Sequence, residues 1–175
     1  MKKTCFLFII LFCSIRLFAQ KFEIPKLEFV CELKVTNEEI KTLGMTQHGI
    51  RRILPITGGT FEGPKLRGIV LNGGADYQLR NQENTRTEVE AIFTIQTNDS
   101  VLIHVRDLGL IIKTKEVIDD LAKGKPFDWN KMYFRTSPKF EAPTDSKYAW
   151  LNNAIFISRG VPNKDYVSIQ IWEVL

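Results

Sequence analysis

The chain is poor in the residues on which most metal sites and many catalytic motifs depend. Only two of its 175 residues are histidine and only three are cysteine. His48 and His104 lie far apart, and neither has cysteine or carboxylate neighbours at the spacing of zinc ligands, so no metal site is predicted. No glycine-rich loop opens a helix, and no G-x-S-x-G motif occurs. The sequence therefore predicts no cofactor and no nucleophile elbow.

The first 19 residues are predicted to be a secretory signal peptide that does not belong to the folded domain. Lys2 and Lys3 precede a continuous apolar run from Cys5 to Cys13, and Ala19 supplies a small residue at the cleavage point. The run is shorter than the roughly 20 apolar residues that cross a bilayer as a helix. A retained N-terminal anchor is the alternative. We expect a periplasmic or secreted protein without stable membrane insertion after cleavage.

Without this segment the chain has almost no net charge and only one cysteine. The segment contains three of the 24 basic residues, which leaves 21 basic residues against 20 acidic ones. A chain so close to neutrality gives no reason to expect nucleic acid as a partner. Cys31 remains alone and forms no intrachain disulfide, and a single thiol on the apolar face of a strand is typical of a core residue. The oligomeric state is not encoded in any of these features.

Residues 20–175 read as one domain made of short strands. Apolar and polar residues alternate cleanly in Leu27–Val35 and in Thr87–Thr97, which is the pattern of half-buried strands. A short helix is predicted from the Thr36 cap to Leu43, and a second over Lys115–Lys123, where apolar residues recur at helical spacing and Gly124 follows. Further strands are predicted at Gly49–Leu54, Gly59–Glu62, Leu66–Leu71, Asp76–Leu79, Val101–Val105, Leu108–Lys113, Met132–Thr136, Trp150–Ser158 and Tyr166–Val174.

About nine or ten strands with little helix indicate an all-β fold, and we predict a compact antiparallel β-barrel. Glycine clusters at Gly58-Gly59, Gly63-Pro64 and Gly73-Gly74 fit strands that bend sharply, which favours a barrel over the alternative, an open sandwich. A barrel of this size is either filled by side chains or holds one small ligand.

Three sequence blocks resemble the signature blocks of one bacterial family, domain of unknown function 3237. They are GIRRILPITGGTFEGPKLRGIVLNGGADYQLR at 49–80, YFRTSPKFE at 133–141 and YAWLNNAIF at 148–156. The resemblance covers nearly all of the chain after the signal and implies a compact antiparallel barrel similar to the calycin barrels. It implies no particular activity, cofactor or catalytic residue. Many family members lack a signal peptide, and this chain differs from them in that respect.

The candidate site consists of charged residues inside aromatic or glycine-rich sequence. Asp76 follows a glycine pair, Arg135 follows two aromatic residues, and Glu141 follows Phe140. An unpaired buried charge costs several kcal/mol, so we expect Arg135 to pair with Asp76 or Glu141. Of the adjacent residues Arg51 and Arg52, at most one can point into the barrel, because neighbours on a strand face opposite sides.

Two roles are open for this set. The pair of Arg135 with Asp76 or Glu141 could form a structural clip that closes the barrel mouth. Alternatively, Arg135 orients an anionic or carbonyl oxygen while Asp76 or Glu141 acts as a general acid or base with a raised pKa. The candidate ligand-binding residues are Tyr77, Tyr133, Phe140, Trp150, Asn152 and Glu62.

Three functions follow from these roles. The first is an exported barrel that binds a small aromatic or anionic molecule in its mouth. The second is a cofactor-independent isomerase, lyase or hydrolase that uses a carboxylate with an arginine as oxyanion partner. The third is a structural barrel whose interior is filled.

Overall fold

The structure, a computed structural model, describes residues 22–125 and 128–175. The predicted signal peptide lies outside the described residues. Within them are ten strands, one α-helix and two short 3₁₀ helices at Trp129–Lys131 and Ala149–Asn153. The strands are β1 (Leu27–Asn37), β2 (Lys41–Thr46), β3 (Gly49–Glu62), β4 (Arg67–Val70), β5 (Ala75–Arg80), β6 (Arg86–Thr97), β7 (Leu102–Ile112), β8 (Tyr133–Glu141), β9 (Ile155–Pro162) and β10 (Val167–Val174), and the helix α1 is Lys115–Ala122.

The strands close into an antiparallel barrel, which confirms the predicted fold. Around the ring the order is β1, β10, β9, β8, β7, β6, then β4 and β5 in one position, then β3, which pairs again with β1. Strand β2 lies beside β3, outside the ring. Closure leaves few unpaired edges, which explains how so many short strands form one sheet. Within the described ranges no helix has the length and apolar character that crossing a membrane requires.

Strand β3 is twice as long as predicted because glycines bend it instead of ending it. Its first half pairs with β5, and its second half pairs with β4 and β1. At the bend, Gly59 has φ of 142°, and a Cβ there would lie 2.1 Å from the Lys34 carbonyl oxygen. Only glycine adopts this conformation so close to a neighbouring backbone. The two strands predicted at Gly49–Leu54 and Gly59–Glu62 are therefore one.

The interior has two halves. One half is packed by apolar side chains, among which Phe140 and Phe156 meet edge to face with ring centroids 4.9 Å apart. Cys31 is fully buried in this core, and burial raises the pKa of its thiol to about 12. The other half encloses a cavity. The alternative of a completely filled interior is therefore wrong.

The predicted helix over Thr36–Leu43 is wrong. Thr36 and Asn37 continue β1 and pair with β3, and Glu38 donates its N–H to the Pro55 carbonyl at 3.0 Å. Lys41–Thr46 then forms β2. A helix of eight residues is marginal by itself, and the neighbouring strand supplied more hydrogen-bond partners than a single helical turn does. The predicted helix at Lys115–Lys123 is confirmed as α1, with Thr114 as its N-cap.

The predicted strand Trp150–Ser158 is wrong in its first half. Ala149–Asn153 forms a 3₁₀ helix that buries Leu151, and the strand begins at Ile155. The Asn152 amide accepts the Ala142 N–H at 2.8 Å and donates to the Ala142 carbonyl at 2.9 Å. The Asn152 side chain makes the backbone hydrogen bonds that a neighbouring strand would otherwise make, so this segment does not need to pair as a strand.

Candidate functional site

The cavity has a volume of about 380 Å³ and lies in the half of the barrel that the core leaves open. Most of its wall is apolar, and eight polar or charged side chains from β1, β3, β5, β6, β7, β8 and the segment after β7 interrupt that wall: Asn37, Arg52, Asp76, Gln78, Thr87, Asp107, Lys113 and Thr136. An apolar hollow with a few converging polar groups is the usual form of a small-molecule site.

Strand register places two carboxylates in one layer of the cavity. Asp76 on β5 lies opposite Ala91 on β6, and Ala91 lies opposite Asp107 on β7. The two aspartate backbones are therefore two strand spacings, roughly 10 Å, apart. Ala91 also lines the cavity, and its small side chain leaves the space between the carboxylates free. The layer below is closed by Phe93, which belongs to the packed core.

Asp76 is held by a break in the β5–β6 ladder. Regular pairing stops after Asp76 and resumes at Leu79 opposite Glu88. Within the gap, Asp76 Oδ1 accepts the Glu90 N–H at 3.1 Å and Oδ2 accepts the Gln78 amide at 2.6 Å. Burial raises the pKa of Asp76, and these two hydrogen bonds and the charge of Arg52 oppose the rise.

Asp107 is the more perturbed carboxyl. Its side chain is buried, with only 6% of its surface exposed, and Oδ1 has no hydrogen-bond partner. Burial raises its pKa to about 7; a hydrogen bond from Thr136 opposes this and the nearby charge of Asp76 adds to it. Thr136 is itself bonded to the Ser158 hydroxyl across the β8–β9 seam. A carboxyl that titrates near neutrality in a cavity is suited to exchange protons with a bound molecule.

Basic groups line the same cavity beyond the carboxylate layer. Arg52 Nη2 donates to the Gln78 amide oxygen at 2.5 Å, while the buried Arg52 Nε has no partner. Burial and the charge of Arg80 lower the pKa of Arg52, and Asp76 opposes this. Lys113 donates to the Asn84 side chain at 2.9 Å, and burial, followed by Arg52 and Arg80, lowers its pKa to about 8. The cavity thus holds acids and bases that are neither fully paired nor fully hydrated.

The structure does not bring the predicted charged set together. Asp76 lines the cavity, but Arg135 and Glu141 are exposed on the outer face of β8. The predicted pairing of Arg135 with Asp76 or Glu141 is therefore wrong. On β8 the inward residues are Phe134 and Thr136 and their alternates, so Arg135 points outward. Its guanidinium lies 5.4 Å from the ring centroid of the exposed Tyr133, which accounts for the aromatic flank seen in the sequence.

None of the six predicted ligand-binding residues lines the cavity. Tyr77 and Tyr133 are exposed on the outside of the barrel by 42% and 53%, and Glu62 is exposed at the end of β3. Phe140 is buried in the core, where Trp150 packs against Phe156. Asn152 bonds the Ala142 backbone as described above. The six residues therefore lie away from the cavity, and their predicted role in ligand binding stays a prediction.

Sequence reasoning missed Asp107, Arg52, Gln78 and Lys113 as site residues. For Asp107 a signal was present: Ile103, Val105 and Ile111 alternate through it on one face, but the prediction ended the strand at Val105. A polar residue at an inward position of a continuous strand would have marked it. For the arginine pair, the parity argument is confirmed, since Arg52 lines the cavity and Arg51 lines a separate depression outside.

Comparisons with known proteins agree with this barrel. A family model for proteins of unknown function (DUF3237) matches residues 25–174. A relative from Rhodopseudomonas palustris, named as a UPF0311 protein, is 33% identical over 153 residues, which cover 86% of this chain and 99% of the relative. A relative from Penicillium roqueforti, named PR-toxin biosynthesis cluster protein 7, is 29% identical over 156 residues, covering 78% of this chain and 82% of the relative.

A solved structure shows the same architecture. The crystal structure of a β-barrel-like protein from Acinetobacter baumannii is similar to this one with a TM-score of 0.77 at 30% sequence identity, covering 89% of this chain and 99% of that chain. The family match extends from before β1 to the end of β10. The chain therefore belongs to the DUF3237 family, whose function is unknown.

Proposed function

We propose that the barrel is a cofactor-independent enzyme that binds a small, largely apolar molecule in its cavity and moves protons on it with Asp107 and Asp76. The observation that carries this proposal is the placement of two carboxyl groups in one layer of a mostly apolar cavity, on either side of Ala91, where burial raises the pKa of both. A purely structural role gives no reason for a buried carboxyl, one of whose oxygens has no partner among the described residues, in the wall of a cavity.

The two carboxyls are suited to different halves of a proton transfer. Near pH 7 Asp107 is about half ionised, so its carboxylate can accept a proton from a C–H or O–H group of the ligand. Asp76 accepts two hydrogen bonds and lies near the charge of Arg52, and both oppose the rise in its pKa that burial causes. Gln78 connects Asp76 to Arg52, and Arg52 is placed to stabilise negative charge that develops on a ligand oxygen. Isomerisation, elimination and hydrolysis all use this combination.

Binding without catalysis is the second candidate function. The mostly apolar wall favours it, because such a wall retains a ligand whether or not a proton is transferred. The fungal relative favours catalysis, since its name assigns it to a biosynthesis cluster. The two candidates differ in one respect that can be measured, namely whether the loss of Asp107 abolishes chemistry while binding persists.

The test is a ligand screen followed by proton exchange. Small cyclic ketones, lactones and enones are screened by thermal shift, where a ligand at a hundredfold its Kd stabilises the protein by about 2.7 kcal/mol. Each ligand is then incubated with protein in D₂O, and deuterium incorporation next to its carbonyl is followed by NMR. We expect exchange whose rate rises through pH 7, as Asp107 ionises. Asp107→Asn should reduce the rate at least 100-fold and keep the thermal shift, whereas the control Glu141→Gln should keep both.

Three outcomes are informative. Exchange that survives in Asp107→Asn contradicts the assigned base. If some compounds stabilise the protein but none of them undergoes deuterium exchange or any other reaction, the binding function is supported. A screen in which no compound shifts the wild-type transition contradicts both functions.

We also propose that the protein is exported. The support is the signal-like segment before residue 20, which lies ahead of the family match at 25–174. N-terminal sequencing of the protein from a cell fractionation should find a chain that begins at Gln20 outside the cytoplasm. A full-length chain in the cytoplasmic fraction contradicts the proposal.

A further inference from the structure

The basic groups at the cavity are not paired with its carboxylates. Arg52 from β3 and Lys113 from the segment after β7 line the cavity. Arg80 on β5 is not among the lining residues, but its charge acts on both of them. Within the described part of the chain, none of the three forms an ion pair within 4 Å. The facing acids are Asp76 and Asp107, and burial raises the pKa of both carboxyls, that of Asp107 to about 7. Two basic side chains without carboxylate partners, with a third positive charge nearby, favour an anion.

Unpaired donors lie on the same side of the cavity. Arg52 and Thr87 line the cavity, and among the described residues the Arg52 Nε and the Thr87 hydroxyl are buried without a hydrogen-bond partner. Thr87 lies opposite Arg80 in the strand register, one layer from Arg52. A buried donor without an acceptor costs about 1–3 kcal/mol. A side-chain rotation that turns either donor toward a ligand oxygen removes that cost, and a charged oxygen does so best.

We propose that the molecule bound in the cavity is an organic carboxylate, with its charged group held by Arg52 and Lys113 and its apolar body against the wall formed by Val89, Phe134 and Ile169. This inference rests on the proposed function and specifies its substrate class. The apolar wall allows only one strongly hydrated group, and the basic residues fix where that group lies. The body of the ligand then extends toward the layer that contains Asp107, the group that exchanges protons with it.

Matched pairs of compounds test the charge requirement. Aryl and alkyl carboxylates with side chains of two to six carbons are compared by calorimetry with the primary amides of the same acids, which have the same size without the charge. We expect at least one acid to bind wild type tenfold or more tightly than its amide. The preference should fall below threefold in Lys113→Met and in Arg52→Met. Arg51→Met is the control, since its side chain lies outside the barrel, and it should keep the full preference.

Proton uptake supplies an independent readout. Lys113 is mostly neutral at pH 8.5, because its pKa is about 8. A bound carboxylate offsets the charges of Arg52 and Arg80, so Lys113 should take up more than half a proton per ligand. This uptake appears as a binding enthalpy that depends on the ionisation enthalpy of the buffer. It should vanish in Lys113→Met and persist in Asp107→Asn, which separates Lys113 from the other group that a new negative charge would protonate.

The outcomes separate this inference from the function on which it rests. Amides that bind as tightly as their acids overturn the carboxylate assignment and leave the enzyme proposal standing. Equal losses of preference in Arg51→Met and Lys113→Met also overturn it, because the effect would then be one of net charge. If no acid and no amide binds, the carboxylate assignment is overturned, and the proposed function is decided by the screen of ketones, lactones and enones. Folding of each variant is checked by its far-ultraviolet circular dichroism, and Lys113→Arg, which keeps the charge, should restore most of the preference.

Discussion

The buried carboxyl of Asp107 should destabilise the barrel as the pH rises, and its removal should reverse this. Burial raises the pKa of Asp107 from its ordinary value of 3.8 to about 7 in the folded state. The folded protein therefore holds this proton more tightly than the unfolded chain does. Its contribution to stability is fully present below pH 3.8 and is lost as the pH rises through 7. Asp107→Asn keeps the shape of the side chain and cannot ionise, so it removes this pH dependence.

The magnitude follows from the two pKa values. A difference of about three units corresponds to roughly 4 kcal/mol of unfolding free energy above pH 8. Between pH 5 and pH 8 the change is about 2.5 kcal/mol, because part of the loss has already occurred at pH 5. The Asn amide changes hydrogen bonding in the cavity by an amount that does not vary with pH. The comparison of the two pH values cancels that amount.

The assay is urea unfolding followed by tryptophan fluorescence at pH 5 and pH 8 on wild type and Asp107→Asn. We expect the free energy of unfolding of the variant, relative to wild type, to rise by about 2.5 kcal/mol from the lower pH to the higher one. Glu141→Gln, which removes one exposed carboxylate from the neighbouring strand, corrects for the change in net charge. If wild type and Asp107→Asn lose stability in parallel, Asp107 does not carry the buried charge that the proposed mechanism requires.

Three further predictions concern packing and the polar network. Gly160→Ala should destabilise the fold by about 1–3 kcal/mol in urea unfolding, because the new Cβ would lie 2.2 Å from the Phe134 ring. The double variant with Phe134→Leu should recover part of this loss. If the stability losses of the two single variants simply add in the double variant, the contact is contradicted. Gln78→Met should cost about 2 kcal/mol, since it removes a donor from Asp76 and an acceptor from its arginine partner, and an unchanged unfolding midpoint would show that the network contributes nothing. Cys31, with a pKa raised to about 12 in the core, should react with a thiol reagent only after unfolding, and rapid labelling of Cys31 in the folded protein would place it at the surface instead.

Local pattern was sufficient for the class of fold. Alternation in β1 and β6, the helical spacing over Lys115–Lys123 and the glycine clusters predicted an antiparallel barrel with one or two short helices. The barrel and the second of these helices are confirmed because side-chain parity and backbone conformation depend on near neighbours in the chain. The same local reasoning failed at Thr36–Leu43, where a neighbouring strand supplied the hydrogen bonds that a short helix would have made within itself.

Some features of the candidate site also follow from local sequence, and others depend on the tertiary structure. The sequence by itself determined that of Arg51 and Arg52 only one could face inward, and it singled out Asp76. Only the tertiary structure decided that Asp107 is the partner of Asp76, because the two carboxylates are 31 positions apart and meet through the register of three strands. The tertiary structure also decided that Arg135 faces water, because alternation along β8 does not by itself say which of its two faces turns toward the interior. Closure of the ring selects that face, and closure depends on all of its strands at once.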